Sequence, residues 1–203
     1  MPDVIIPFEI HITTKTLSLS QRDAFAGFCY SHEAKPLMIE LAKGEHTDQP
    51  MFSKVVYLKN IDEALDVSTE YSLLLNKSNF EVVRLKIETM PGFAGLFQNE
   101  ETGAFGKYYE WHGKVNFTDV DNLYAMCELH RVHLSLNSLK NEAGMRFITL
   151  REFGLERVFK VRIDALSKGL KTGGWQLTKQ QSEYCIYDNN CFLDNGWLPD
   201  KEL

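Results

Sequence analysis

Residues 8–90 and 109–188 follow one template, and a chain that repeats its own pattern is constrained to build two similar halves. Each half begins with a short alternating segment, Phe8-Glu-Ile-His-Ile-Thr13 and Tyr109-Glu-Trp-His-Gly-Lys114, both reading aromatic, Glu, apolar, His. A capping-box-like helix start follows in each, Ser18-x-x-Gln21 and Thr118-x-x-Asp121, where a hydroxyl can accept from orphan helix amides. The helices carry apolar stripes through Phe25, Phe28 and Cys29 in one half and Leu123, Met126 and Cys127 in the other, the i, i+3, i+4 spacing of one buried face. These pairs lie a constant 98 residues apart, and the same offset aligns His32 with His130.

Beyond the helix, strands are predicted at Lys35–Leu41 and Met51–Leu58 in the first half, and at Val132–Asn137 and Arg146–Arg151 in the second. A longer helix comes next, about Ile61–Asn76 or Leu155–Leu170, and each half closes on a strand, Phe80–Glu88 or about Thr178–Asp188. The order β-α-β-β-α-β is that of the ferredoxin-like unit, a four-stranded antiparallel sheet with two helices on one face. The expected fold is therefore α+β: a tandem duplication with two antiparallel sheets, helices on one face of each, and a cleft or tunnel between the halves. The division is 1–90 for the first repeat, 91–107 for a Gly-rich connector that is either a linker or a lid, 108–188 for the second repeat, and 189–203 for a tail packing on the body.

Composition narrows the function classes. Lys and Arg number 22 against 28 Asp and Glu, a formal charge of −6, which disfavours generic nucleic-acid binding except as a short nucleotide. No apolar run approaches the roughly 18–20 residues of a membrane span, and the first residues lack the basic start of a signal peptide, so a soluble, cytoplasmic protein is expected. Its four cysteines include no C-x-x-C pair, and reduced thiols are the default. The repeated Cys-x-x-His (Cys29/His32, Cys127/His130) has zinc-half-site spacing, but its Cys lies on the buried stripe and its His at the helix end, which reads as structure.

Alternation then assigns faces. Phe8, Ile10 and Ile12 go under the helices and leave Glu9, His11 and Thr13 on the open face; Tyr109 and Trp111 leave Glu110, His112 and Lys114. Arg84, Lys86 and Glu88 join them, with Glu40, His133, Ser135, Asn137, Thr149 and Arg151. Ionisable groups in mid-sheet are costly unless wet or paired, so a charged cleft is expected. Glu9, His11, Glu110 and His112 are the candidate acid–base groups, or half-sites for a divalent metal, and Arg84, Lys86, Lys114 and Arg151 the candidate phosphate clamps. The expected activity is binding, and hydrolysis, of a phosphate-containing small molecule or nucleotide; the alternative is a non-enzymatic module that binds a peptide or protein through its mixed-charge sheet.

Two resemblances attach to these residues. Ile10-His11-Ile12-Thr13 and Val132-His133-Leu134-Ser135 resemble the paired His-x-Thr/Ser motifs of two-histidine phosphoesterases, which implies hydrolysis of a phosphodiester and adds His133 and Ser135 as secondary candidates. The match departs from that family in that the repeat-mate of His11 is His112, followed by no hydroxyl. Glu9-Ile-His-Ile-Thr13, Glu110-Trp-His-Gly-Lys114 and Arg84-x-Lys86-x-Glu88 resemble in phase the charged strands of triphosphate-tunnel proteins, with His in place of a second Glu, which implies a tunnel binding metal and triphosphate. Neither extends over the whole chain.

Overall fold

The computed structural model describes residues 4–97, 106–116, 120–139 and 144–196. The elements are β1 (Ile6–Thr14), α1 (Leu19–Ser31), β2 (Lys35–Leu41), β3 (Asp48–Leu58), α2 (Ile61–Lys77), β4 (Val82–Thr89), β5 (Tyr108–Asn116), α3 (Val120–Leu129), β6 (His133–Asn137), β7 (Met145–Glu152), α4 (Glu156–Thr172) and β8 (Leu177–Asp188), with 3-10 turns at Pro91–Phe97 and Cys191–Asp194. Helix starts follow local chemistry: Gln21 Oε1 accepts from the Ser18 amide at 3.0 Å, and Asn60 caps α2 by accepting from the Glu63 amide at 2.9 Å. Thr118, residues 98–105 of the 91–107 connector and residues 197–203 of the tail lie outside the described residues.

The strands do not form two sheets. They close into one antiparallel barrel in the order β1-β3-β2-β6-β7-β5-β8-β4, with β4 returning to β1. The expected tandem of ferredoxin-like units, each with its own sheet, is therefore incorrect. Its edges are the reason: an open four-stranded sheet leaves two rows of unpaired backbone groups, and here β2 pairs with β6 through Ile39↔Asn137 and Leu41↔Ser135, while β4 pairs with β8 through Lys86↔Asp188 and Glu88↔Cys185. Alternation tells which face is apolar, but carries no information on whether edges meet.

Closure turns the barrel inside out relative to an ordinary core. Most apolar side chains of the strands point outward under the helices, in two clusters: one joins Ile10, Ile12 and Phe52 to Phe25, Cys29 and Leu75, the other joins Phe8, Trp111, Ile148 and Ile186 to Leu123, Phe159 and Leu166. Cys29 and Cys127 lie in these clusters, and the His32 Nδ1–H donates to the Phe28 carbonyl at 2.8 Å, so the Cys-x-x-His pair at Cys29/His32 is built into the scaffold.

One glycine on this outer face is dictated by packing. A Cβ at Gly113 would stand 2.2 Å from Trp111 Cη2 and 2.9 Å from Leu177 Cδ2, so the buried indole occupies the space that a side chain would need. Gly113→Ala is expected to destabilise by about 1–3 kcal/mol through overpacking. Urea unfolding measures it, and an unchanged midpoint would contradict this packing.

Candidate functional site

Every strand sends alternate side chains inward, and together they line a cavity of about 250 Å³ inside the barrel. One end is closed. The Cys191–Asp194 turn folds back over it, held by Gln49 Nε2 donating to the Leu193 carbonyl (3.2 Å), the Glu45 amide donating to the Asn195 carbonyl (3.1 Å) and Asn190 Nδ2 donating to the Val83 carbonyl (2.8 Å). The other end is the mouth, where Lys35 and Lys179 are exposed and Lys114 is half-buried.

The floor is a saturated ion-pair network. Arg84 Nε donates to Asp188 Oδ1 at 2.9 Å and its Nη1 to Asp194 Oδ1 at 3.1 Å; Arg151 Nη1 donates to Asp194 Oδ2 at 2.9 Å, and its Nε and Nη2 donate to Glu110 Oε1 at 3.0 and 2.7 Å. Tyr108 donates its hydroxyl to Asp188 at 2.8 Å, and its ring lies 4.2 Å from the Arg151 guanidinium carbon. Burial by itself would raise the carboxyl pKa values, but Arg84 holds Asp188, and Arg151 with Arg84 holds Asp194, below the ordinary range. His133 stands at this end, where burial pulls its pKa down to about 4 and keeps the ring neutral.

Two similar Glu-His-Glu trios occupy the middle. On β5 and β8, His112 Nε2 lies 3.5 Å from Glu110 and 3.2 Å from Glu183, which are cross-strand neighbours. On β1 and β4, His11 Nε2 lies 3.6 Å from Glu9 and 3.0 Å from Glu88, also cross-strand neighbours. Lys86 Nζ bridges the trios, 2.9 Å from Glu88 and 2.7 Å from Glu110. Burial opposes the charged form of His112, but Glu110 and Glu183 outweigh it and push the pKa up to about 10; His11 is raised the same way, chiefly by Glu88. Glu110 is held well below the carboxylate range, with Arg151 and Lys86 overcoming its burial, whereas burial and the neighbouring Glu88 raise Glu183.

The expected site residues thus all line the lumen, and three of the four expected phosphate clamps already have carboxylate partners there. Arg84, Lys86 and Arg151, assigned to phosphate, are ion-paired with Asp188, Asp194, Glu88 and Glu110. Among the assigned clamps, Lys114 stands at the mouth. The expectation of a hydrolase or phosphoesterase is also corrected. His11 and His133 lie on β1 and β6, three positions apart around the barrel; His11 is 8% exposed with Nε2 on Glu88, and His133 is neutral at the floor, so they do not form a facing acid–base pair. Ser135 is buried on β6, two residues along from His133.

Glu183, Lys179, Gln181, Lys35 and the floor carboxylates Asp188 and Asp194 were not among the expected site residues. Lys179-x-Gln181-x-Glu183 alternates as Arg84-x-Lys86-x-Glu88 does, and that signal was present in the sequence. Asp188 carried none: a register shift pairs Ile87 with Tyr187 but Glu88 with Cys185, and this bulge turns even-numbered Asp188 to the same side as odd-numbered Glu183.

No protein-family model matches the chain, and no curated protein matches it. Among solved structures it is similar to the small subunit of acetolactate synthase from Thermotoga maritima, at 13% identity over 87% of this chain and 92% of that one, with a TM-score of 0.28. A likeness at that score carries no argument about fold or function.

Proposed function

We propose that the barrel binds a phosphate-containing small molecule or nucleotide through its open mouth. The observation that carries this reading is a like-charge pair: Lys114 on β5 and Lys179 on β8 are direct cross-strand partners lining the cavity, and Lys35 lies on β2, four positions around the eight-stranded barrel from β8. Lys114 also lies 5.7 Å over the Phe147 ring; like charges set directly opposite each other repel, and an anion held between them would relieve that repulsion. The wall adds to this. Lys35, Arg84, Lys86, Lys114, Arg151 and Lys179 face Glu9, Glu88, Glu110, Glu183, Asp188 and Asp194, so the lumen of a chain whose overall charge is −6 is balanced rather than acidic, with its lysines gathered at the mouth.

The lumen also has an apolar side. Leu37, Ile39 and Leu41 of β2, with Met51 and Phe147, line it opposite the polar trios, and an organic body such as a nucleobase fits there better than free phosphate. The charged face points into the barrel rather than outward, which supports a small ligand over a protein partner. The four free cysteines fit a reducing compartment, and we place the protein in the cytoplasm on that ground; no described helix is long and apolar enough to cross a membrane.

Titration calorimetry with ATP and with inorganic pyrophosphate tests the reading. Wild type should bind one of them, and Lys114→Ala/Lys179→Ala should bind at least tenfold more weakly, since each charge-assisted bond is worth about 1.5–3 kcal/mol. Equal binding by both proteins, or none by the wild type, overturns it.

A further inference from the structure

The two trios look alike, yet only one is held ready for an ion. We infer that Glu110, His112 and Glu183 form a mononuclear divalent-metal site on the wall of the lumen, a deepening of the proposed anion site in which the metal ion and the lysines share the phosphate. Their three inward atoms, Glu110 Oε2, His112 Nε2 and Glu183 Oε2, sit with the imidazole nitrogen 3.5 and 3.2 Å from the two oxygens, and the group's ligand atoms all lie within 4.8 Å of one another. Bonds of about 2.0–2.2 Å to a common ion place neighbouring ligand atoms about 3.0–3.5 Å apart. An ion therefore fits among these atoms with small adjustments, displacing the proton on His112 Nε2.

What separates this trio from an accidental cluster is that the far atom of each ligand is tied to a residue outside it. Arg151 donates twice to Glu110 Oε1, Thr149 Oγ1 meets His112 Nδ1 at 3.0 Å, and Gln181 Nε2 donates to Glu183 Oε1 at 2.6 Å. Outer bonds of this kind fix the ring orientation and the choice of carboxylate oxygen in metal sites, and leave the inner atom facing the ion. The trio on β1 and β4 is tied less completely: Ser53 Oγ donates to Glu9 Oε1 at 2.9 Å, the same oxygen that faces His11, while His11 Nδ1 has no hydrogen-bond partner among the described residues and His11 is buried where the His112 side chain keeps one-third of its surface open to the cavity. A second feature asks for positive charge in the same compartment. Glu88 is wholly buried, and although Lys86 and His11 stand at ion-pair distance, neither meets its oxygens with hydrogen-bond alignment. Lys86 also lies on Glu110 Oε2, and in the metal-bound form it shifts its weight to Glu88. Two carboxylates and one imidazole suit Mn²⁺ or Zn²⁺ and leave open positions for phosphate oxygens.

The test titrates Mn²⁺ alone into the full chain and follows the loss of free-ion EPR signal. One equivalent should bind, Glu183→Gln and His112→Gln should each weaken binding at least tenfold, and His11→Gln, which removes a nearby positive charge but no ligand, should not weaken it. Pulsed EPR of the wild-type complex should show one directly bound histidine nitrogen, which keeps the inference open to refutation even if the His112 variant does not fold. No bound Mn²⁺, no nitrogen coupling, or unchanged affinity in Glu183→Gln overturns it. Repeating the ATP and pyrophosphate titrations in EDTA separates the two readings: anion binding without any Mn²⁺ binding removes the metal site alone, and Mn²⁺ binding without anion binding removes the anion site alone.

Discussion

Replacing Arg84 by Met should cost about 3–5 kcal/mol of folding stability, read as a fall in the urea midpoint at neutral pH. Arg84 is 3% exposed and holds two carboxylates, Asp188 and Asp194, whose side chains are essentially without solvent contact. The size of the effect comes less from the lost attraction than from what is left behind: Asp188 would keep only the Tyr108 hydroxyl, the Cys191 thiol and a backbone amide as donors. Removing the stranded charge should then recover part of the loss. Arg84→Met/Asp188→Asn is expected to be more stable than Arg84→Met alone, with a coupling energy above about 1 kcal/mol, because the two side chains share one network. Additive single effects would show that the network does not act as a unit. The same substitution should loosen the floor, since Asp194 reaches from the tail to Arg84 on β4 and Arg151 on β7. Faster amide exchange at residues 190–196 in Arg84→Met is the accompanying sign.

That floor shows where reading by period stops. Strict alternation in Phe8–Thr13 and Tyr109–Lys114 identified the apolar and polar faces of β1 and β5, and the buried stripes identified α1 and α3, because each rests on a local period that the chain repeats. Glu9, His11, Glu110, His112, Arg84, Lys86, Lys114, His133 and Arg151 consequently all line the lumen. Closure was not legible: β2 meets β6 through Ile39–Leu41 and Ser135–Asn137, an edge contact between segments nearly a hundred residues apart that no local pattern encodes. Pairing was not legible either. Arg84 and Arg151 looked like free cations because their partner Asp194 sits in a turn-rich tail with no periodicity, and Asp188 is brought round by a bulge. Charge at a strand centre thus signalled a polar interior correctly, while the division between charges that hold the barrel and charges that meet a ligand depends on contacts made only after closure.

His133 gives that division a measurable form. Its ring is 2% exposed and neutral, with a pKa pulled down to about 4 by burial; Lys43 and Arg151 act in the same direction, and Asp194 and Glu110 oppose them. An unfolded histidine titrates near 6.5, so between about pH 6.5 and pH 4 the unfolded chain binds a proton that the folded chain refuses. Stability therefore falls as pH drops through this window, and a difference of about 2.5 pK units corresponds to about 3 kcal/mol by pH 4. His133→Gln removes the group without adding charge. The stability of wild type relative to His133→Gln should be constant above pH 7 and should decline by about 3 kcal/mol between pH 6.5 and pH 4. Asp188 and Asp194, with lowered pKa values, contribute in the opposite range: their stabilisation is fully present above about pH 4 and is lost below it, so they leave the difference between the two proteins untouched in the window that isolates His133. Urea unfolding at half-unit steps of pH measures the difference, and two parallel curves would mean that the His133 ring accepts a proton inside the folded barrel as readily as outside it.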